Sequence, residues 1–319
     1  MIDLIPHEYL WLAFIVGIIL LIKGASLFVD GASEIAESFG LSKLVVGLTV
    51  VAIGTSGPEF AVSSYAAYQG AGELALANVV GSNIFNLGFI LAICAMASPI
   101  AIEKRTVFRD CSFLLFGASL LAGFVLFDSI VSRVEGFILC LLILGYITFL
   151  IISSNQTKDE ENHEKRSRQK LSWRQVGGVL VGLAALLLGC NLVVDSAKIF
   201  ATELGISEWL IGITVIAIGT SLPELVTAIA SVVKGNTELG VGGLIGSDIF
   251  NIFGVIGSTA MLAPMTVGPG SRIPFLFLVL TIIVTAIFMR TNWRLSRAEG
   301  LMLFIIASLR YGFEVVGAG

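Results

Sequence analysis

Two nearly identical segments carry the residue types in this chain that could do chemistry. They read AIGTSGPE at residues 52–59 and AIGTSLPE at residues 217–224. In each, an alanine, a threonine, a serine and a glutamate stand at i, i+3, i+4 and i+7, which is one face of a helix. The proline beside the glutamate removes a backbone donor, so the helix should break and release carbonyl oxygens. Carbonyl, hydroxyl and carboxylate oxygens together favour a hard cation such as Ca²⁺ or Na⁺.

A serine and an asparagine follow each segment, again at i and i+4 on one helical face. They are Ser82 and Asn86 in the first copy and Ser247 and Asn251 in the second. We expect all these residues to face one site. The residues on these faces are Ala52, Thr55, Ser56, Glu59, Ser82 and Asn86 in the first copy, and Ala217, Thr220, Ser221, Glu224, Ser247 and Asn251 in the second. Their side-chain oxygens, with the carbonyl oxygens released at the breaks, are the candidate metal ligands.

The elements that position these residues must lie in lipid. The chain has 319 residues, 56% of them hydrophobic and only 13% charged, with a mean hydropathy of +0.96, which is outside the usual range of soluble domains. Apolar stretches of about 18 or more residues, of which this chain has several, can cross a bilayer as helices. The composition predicts an all-α membrane protein with ten spans, near residues 9–29, 44–68, 74–98, 106–127, 130–153, 176–198, 207–233, 238–263, 272–289 and 297–317.

The two glutamates lie inside predicted spans, where an ionised side chain is expensive. An acid at the bilayer centre costs about 2.5–3.5 kcal/mol even on lenient scales, so acids there are functional by default. Glu59 and Glu224 would offset that cost by binding a cation or a proton. Their combined charge of −2 matches one Ca²⁺ or a few Na⁺ ions, which is a physical basis for competition at one site.

The chain consists of two copies of one unit. Residues 24–99 align with residues 189–264 at a constant offset of 165, and eleven of the twenty residues in 41–60 are identical to their counterparts. Each copy holds five predicted spans, an odd number, so the second copy should enter the membrane from the opposite side. Inverted repeats are typical of secondary transporters that bind their substrate near the bilayer midplane.

The repeat defines the predicted domains. Residues 1–153 form the first five-helix repeat with its motif at 52–86, and residues 174–319 form the second with its motif at 217–251. The hydrophilic stretch 154–173 links them. With the N-terminus outside, fourteen basic residues fall on the cytoplasmic side and four on the other, with Lys23 inside the first span. We therefore expect a cytoplasmic linker and both termini outside. A single short linker between the repeats suits a prokaryotic plasma membrane.

The motifs resemble those of a known family. GTSGPE and GTSLPE, followed by GSNIFN at 81–86 and GSDIFN at 246–251, are similar to the paired alpha repeats of prokaryotic sodium/calcium exchangers in the cation/calcium antiporter superfamily. The resemblance implies an ion-binding core of spans 2, 3, 7 and 8, past which spans 1 and 6 slide. It also implies that Glu59 and Glu224 are the main Ca²⁺ ligands, aided by the carbonyl groups of Thr55 and Thr220.

Three positions depart from the family pattern. Gly57 stands where the second copy and most members have leucine, so the first broken turn is expected to be looser. Asp248 replaces the asparagine found at Asn83, and both a peripheral acid and a direct ion contact remain open for it. Asn251 stands where the potassium-dependent branch usually has aspartate, which argues against obligate K⁺ transport.

Other charged residues lie away from the motifs. Asp30 and Asp195 close spans 1 and 6, where we expect helix caps or helix contacts, with a gating role as the alternative. Arg109 and Asp110 are expected to pair with each other at the membrane interface.

The function that these features favour is electrogenic antiport of Na⁺ and Ca²⁺ by alternating access. The partners would be these two ions and the lipid bilayer, with neither a prosthetic group nor nucleic acid. The alternative is H⁺/Ca²⁺ exchange through the same two glutamates. An intramembrane hydrolase is disfavoured because the repeat motifs contain neither His nor Lys as a general base. A passive channel does not fit a closed site with two carboxylates.

Overall fold

The computed structural model of the protein describes residues 9–39, 41–160, 173–205, 217–268 and 272–317. These residues are almost entirely helical, as predicted. The helices are α1 (Leu10–Phe39), α2 (Lys43–Thr55), α3 (Gly57–Tyr68), α4 (Gly72–Ala97), α5 (Thr106–Phe127), α6 (Arg133–Glu160), α7 (Trp173–Glu203), α8 (Ala217–Thr220), α9 (Leu222–Val233), α10 (Thr237–Leu262), α11 (Ile273–Arg290) and α12 (Arg297–Gly317).

Seven of the described helices are long and apolar enough to cross a membrane, or eight if the bent pair α2 and α3 counts as one span. The chain is therefore a multi-pass integral membrane protein. The first part of the seventh predicted span, residues 207–216, lies outside the described residues, and its described part consists of the short helices α8 and α9. The count of ten spans stays a prediction.

Two short ribbons occupy equivalent places in the two copies. β1 (Ile100–Ala101) pairs antiparallel with β4 (Arg294–Leu295), and β2 (Ile130–Val131) pairs in the same way with β3 (Met265–Thr266). β1 and β3 follow α4 and α10, whereas β2 and β4 precede α6 and α12. Each ribbon therefore joins one half of the chain to the other.

Helices α4 and α10 form the centre of the molecule. In the most apolar 18-residue window of each helix, 89% of α10 and 72% of α4 is buried, against 28% of α6 and of α7. Glycines let α10 approach α2 closely, since a Cβ on Gly246 would lie only 2.6 Å from the Cα of Leu48. The motif-bearing helices are thus packed inside the protein, away from lipid.

Helices α1 and α7 form an antiparallel pair held together by backbone contact. Gly17 lies against Gly189, and Gly24 lies against Gly182. A Cβ on Gly24 would come within 2.5 Å of the backbone nitrogen of Leu186, which shows how closely the two helices approach. Small residues serve this purpose in membranes because helix association there depends on packing.

Candidate functional site

The predicted helix breaks are present in both motifs. α2 ends at Thr55 and α3 begins at Gly57, with a bend of 47° between them. Ser56 stands at the break with φ −75° and ψ 8°, and Ser221 stands between α8 and α9 with φ −89° and ψ 6°. These angles lie near the sparsely populated bridge region between the helical and extended conformations. The same local sequence therefore produces the same turn twice.

The two predicted acids lie just after these breaks. Glu59 is in the first turn of α3 and is fully buried, and Glu224 is in the first turn of α9 and is 2% exposed. The positive end of a helix dipole favours a carboxylate at this position. Each break therefore places a buried carboxylate beside the free backbone groups of a helix start.

The two halves meet through their serines and glutamates. The hydroxyl of Ser221 donates to Oε1 of Glu59 at 3.2 Å, and the hydroxyl of Ser56 donates to Oε1 of Glu224 at 3.4 Å. Because 56 and 59 correspond to 221 and 224 in the repeat, these two bonds are equivalent. Each carboxylate is thus held by the motif of the opposite half, as expected for a shared site.

A third contact joins the hydroxyls of the two halves. The Oγ1 of Thr55 lies 3.1 Å from the Oγ of Ser247 on α10, and it also lies 3.1 Å from the carbonyl oxygen of Val51, to which it can donate. Both hydroxyls are buried. This contact brings α10 to the break between α2 and α3.

An amide network links α4 and α10 beside the glutamates. The Nδ2 of Asn86 donates to Oδ1 of Asp248 at 2.9 Å, and the Nδ2 of Asn251 donates to Oδ1 of Asn83 at 3.0 Å. The Nδ2 of Asn83 donates in turn to the carbonyl oxygen of Asp248. Asn83 is not among the predicted ligands, although its equivalence to Asp248 in the repeat indicates that both belong to this network.

Several buried oxygens in this region have no hydrogen-bond donor among the residues that the structure describes. Burying such an acceptor without a partner costs about 1–3 kcal/mol, and more if the group is charged. Carboxylate, amide and hydroxyl oxygens of this kind could instead serve as ligands of a hard cation. They are Glu59 Oε2, Glu224 Oε2, Asp248 Oδ2, Asn86 Oδ1, Asn251 Oδ1 and the hydroxyl oxygen of Ser82.

The remaining predicted ligands lie in the same helices. Ala52 in α2 and Thr220 at the end of α8 are buried, and Ala217 begins α8. No group of three or more His, Cys, Asp or Glu side chains is placed to hold a metal within the described parts of the chain. Ion binding here would depend on hydroxyl, amide and carbonyl oxygens in addition to the two glutamates, which suits hard cations.

A crevice too narrow for a water molecule lies beside Glu224 on the side toward the end of α9. Its polar lining consists of hydroxyls from Thr55, Thr227 and Ser231 together with Glu224 itself. Gly240 and Gly243 of α10 and the apolar side chains of Val51, Ala228 and Leu244 complete the lining. The buried carboxylate is thus closely packed on this side.

The broken turns at Ser56 and Ser221 have similar backbone angles but differ in side-chain packing. No described heavy atom lies within 4 Å of a Cβ built on Gly57. Leu222, at the equivalent position, packs against a cluster that includes Leu21 and Leu186. Side-chain contact is therefore missing at Gly57, the backbone angles at Ser56 and Ser221 are similar, and the looser first turn stays a prediction.

The outlying charged residues form pairs. Asp30 contacts Lys234 with an Oδ2 to Nζ distance of 2.6 Å, so it is a helix-contact residue. Arg109 pairs with Asp110 at 2.6 Å, as predicted, and Asp110 is fully buried, whereas the position of the pair at the membrane interface stays a prediction. The hydroxyl of Tyr146 donates to Oδ1 of Asp110 at 2.7 Å, a contact from α6 that places this acid between helices.

Comparisons with known proteins agree with this architecture. The family model "Sodium/calcium exchanger protein" matches residues 9–152 and 174–309. Inner membrane protein YrbG of Escherichia coli (strain K12) is 35% identical over 91% of this chain and 91% of its own length. Sodium/calcium exchanger MaX1 of Methanosarcina acetivorans is 33% identical over 94% of this chain and 97% of its own.

A solved structure matches nearly the whole fold. The structure of the sodium-calcium exchanger NCX_Mj soaked with Na⁺ and without Ca²⁺ superposes with a TM-score of 0.83 at 28% sequence identity. The match covers 96% of this chain and 98% of that one. The family indicated by the motifs is thereby confirmed.

Proposed function

This chain belongs to the sodium/calcium exchanger protein family, and on that premise we propose that it exchanges Na⁺ for Ca²⁺ across a membrane by alternating access. It is a cation transporter of the antiporter type, like its relatives, and no enzymatic chemistry is proposed for it. The observation that carries the proposal is the group of buried oxygens that lack hydrogen-bond donors among the described residues.

The chemistry of these oxygens suits Ca²⁺. This ion takes six to eight oxygen ligands in proteins, usually with carboxylates among them. Glu59 and Glu224 would neutralise its charge, and each already has one oxygen held by a serine and one oxygen available. Amide oxygens of Asn86 and Asn251, with hydroxyl and carbonyl oxygens, would complete the shell.

The same oxygens serve Na⁺ when Ca²⁺ leaves. We assign the ion sites to Glu59, Glu224, Thr55, Thr220, Ser56, Ser221, Ser82, Ser247, Asn86, Asn251 and the carbonyl groups of Ala52 and Ala217. Two carboxylates cannot be fully neutralised by one Na⁺, so several Na⁺ ions would replace one Ca²⁺. More than two would make the exchange electrogenic. Asp248 is proposed as a peripheral acid that orients Asn86 through the 2.9 Å hydrogen bond.

The proposed architecture follows the repeat. Residues 1–153 and 174–319 form two inverted five-helix repeats with ten spans, joined by a cytoplasmic linker at 154–173. Both termini face outward. The relative YrbG is named an inner membrane protein, which supports a prokaryotic plasma membrane for this chain.

The test is ion flux in reconstituted vesicles. Vesicles loaded with Na⁺ are diluted into Na⁺-free buffer containing trace Ca²⁺, at equal pH on both sides and with a set membrane potential. We expect Ca²⁺ uptake that requires the Na⁺ gradient and responds to the potential. The variant Glu224→Ala should be inactive, and Glu34→Gln, at an exposed position on α1, should be active.

The same vesicles separate the alternative. Ca²⁺ uptake that ignores Na⁺ and follows an imposed pH gradient would make the protein an H⁺/Ca²⁺ exchanger in which Glu59 and Glu224 carry protons. Wild-type uptake by Glu224→Ala would refute the assignment of the site.

A further inference from the structure

Leu222 marks a contact between the proposed ion site and the helix pair α1 and α7. Its side chain packs against a cluster formed by Leu21 and Ala25 of α1 and by Leu186 and Cys190 of α7. Residues 21 and 25 correspond to residues 186 and 190 at the repeat offset of 165, so the cluster is itself symmetric. The α9 residues that pack against it differ between the halves, and the largest loss is at Leu222, which corresponds to Gly57.

A second difference between the halves lies at the other end of α9, where Lys234 follows the helix that begins with Leu222. Lys234, just after α9, contacts Asp30 at 2.6 Å and donates to the carbonyl oxygen of Ser26 at 2.9 Å, so it fastens α1 to the end of α9. The position equivalent to Lys234 is Gln69, which has no charge. Its Nε2 donates to the hydroxyl of Tyr65 within its own helix.

The acid equivalent to Asp30 shows the same contrast. Asp195 pairs with Lys198 at 3.7 Å, one turn further along α7. The ion pair of the first acid therefore joins two helices, whereas that of the second lies within one helix. Both differences act at the place where α1 covers α9.

We propose that Leu222 and Lys234 determine the resting conformation of the transporter by holding α1 over α9. This rests on the proposed alternating access between two inverted repeats. In such a protein, exchanging the roles of the halves converts one conformation into the other, so identical halves would populate both equally. In the swapped conformation α7 would cover α3, where Gly57 has no side chain to insert and Gln69 has no charge for Asp195.

The direction of the bias follows from the predicted orientation. α9 ends toward the cytoplasm and α3 toward the outside, so a covered α9 means a pathway closed on the cytoplasmic side. The site then faces outward at rest. Ions on the cytoplasmic side bind with an apparent affinity reduced by the small fraction of molecules that face them.

The two contacts are unequal in strength. A cluster left without the inserted leucine side chain loses about ten van der Waals contacts, which shifts a two-state ratio by roughly tenfold. The ion pair is partly exposed, with 26% of the Lys234 side chain and 53% of the Asp30 side chain accessible, and such pairs shift a ratio by about fivefold at most. Leu222 is therefore the dominant of the two.

The test uses hydrogen exchange of the full-length protein, measured by mass spectrometry without Na⁺ or Ca²⁺. Gly57→Leu gives the first half the side chain that the second half has. We expect faster hydrogen exchange in α9 (Leu222–Val233), by several-fold, and slower hydrogen exchange in α3. Gly57→Ala is the matched control, because its Cβ meets no described atom within 4 Å and should leave α9 unchanged.

The hydrogen-exchange rate of α9 is the informative quantity, because the substituted residue lies in α3. An unaltered hydrogen-exchange rate in α9 of folded Gly57→Leu protein overturns the proposal. If Gly57→Leu does not fold, Gln69→Lys at an exposed position provides the same test, with a smaller shift in the same direction. Absence of that shift overturns the proposal too. These readouts require no transport, so they are independent of which ions drive the flux.

Discussion

Replacement of Glu224 by glutamine tests the site at the level of single atoms. The variant keeps the size of the side chain, and its amide oxygen can still accept the 3.4 Å hydrogen bond from Ser56. It removes one of two buried negative charges. It also replaces Oε2, the carboxylate oxygen without a hydrogen-bond partner among the described residues, by an NH₂ group. An NH₂ group is a hydrogen-bond donor and repels a cation.

The expected loss of Ca²⁺ binding is large. Removing one partner of a buried, hydrogen-bonded charge pair costs about 2–5 kcal/mol. The lower limit of about 2 kcal/mol corresponds to roughly 30-fold weaker binding. Ca²⁺ at about 100 times the wild-type dissociation constant stabilises the wild-type fold by about 2.7 kcal/mol, but a variant with 30-fold weaker binding gains only about 0.9 kcal/mol.

Thermal unfolding in detergent measures this difference. Without ions, the Glu224→Gln protein should unfold at the wild-type temperature or above it, because one uncompensated buried charge has been removed. With Ca²⁺, its unfolding temperature should rise much less than that of wild type. Glu34→Gln, which alters an exposed acid on α1, should retain the full rise. A full Ca²⁺-dependent rise in the Glu224→Gln protein would refute the reasoning.

Three further substitutions test the surroundings of the site. Gly24→Ala should lower stability by about 1–3 kcal/mol in thermal unfolding, since its methyl group would meet the backbone of α7, whereas Gly145→Ala, at an open position on α6, should not. Tyr146→Phe should lower stability by about 1–3 kcal/mol through loss of the donor to Asp110, with Na⁺-driven Ca²⁺ flux retained per folded molecule. Asp248→Asn keeps an acceptor for the amide network, so calcium titration should show less than about tenfold weaker binding; a loss as large as that of a glutamate variant would instead indicate a direct ligand.

Local sequence was sufficient to predict the breaks and the facing carboxylates. Proline after Ser56 and Ser221 specifies the turn, and helical spacing specifies which side chains share a face. The repeat then indicates that the motif side chains of the second half face the site as those of the first half do. The hydrogen bonds from each serine to the opposite glutamate are the outcome of that symmetry.

Contacts between helices without repeat symmetry could not be derived in this way. Tyr146 reaches Asp110 from another helix, and no spacing along the chain relates these two residues. Asn83 lies one residue past the face that carries Ser82, so helical periodicity alone placed it outside the site. Its inclusion depends on how close α4 and α10 approach, which is a property of tertiary packing.

The proposed ion ligands lie apart from the helix pair that is proposed to decide which side the site faces. The unpaired oxygens assigned to the site belong to α3, α4, α9 and α10, whereas α1 and α7 contact each other through glycine backbones at Gly24 and Gly182. A pair held by close backbone contact can move as one body across a fixed core. Changes at Glu59 or Glu224 should therefore weaken ion binding from both sides of the membrane alike. Changes at Leu222 or its counterpart should alter apparent affinities on the two sides in opposite directions, because they shift only the ratio of the two conformations.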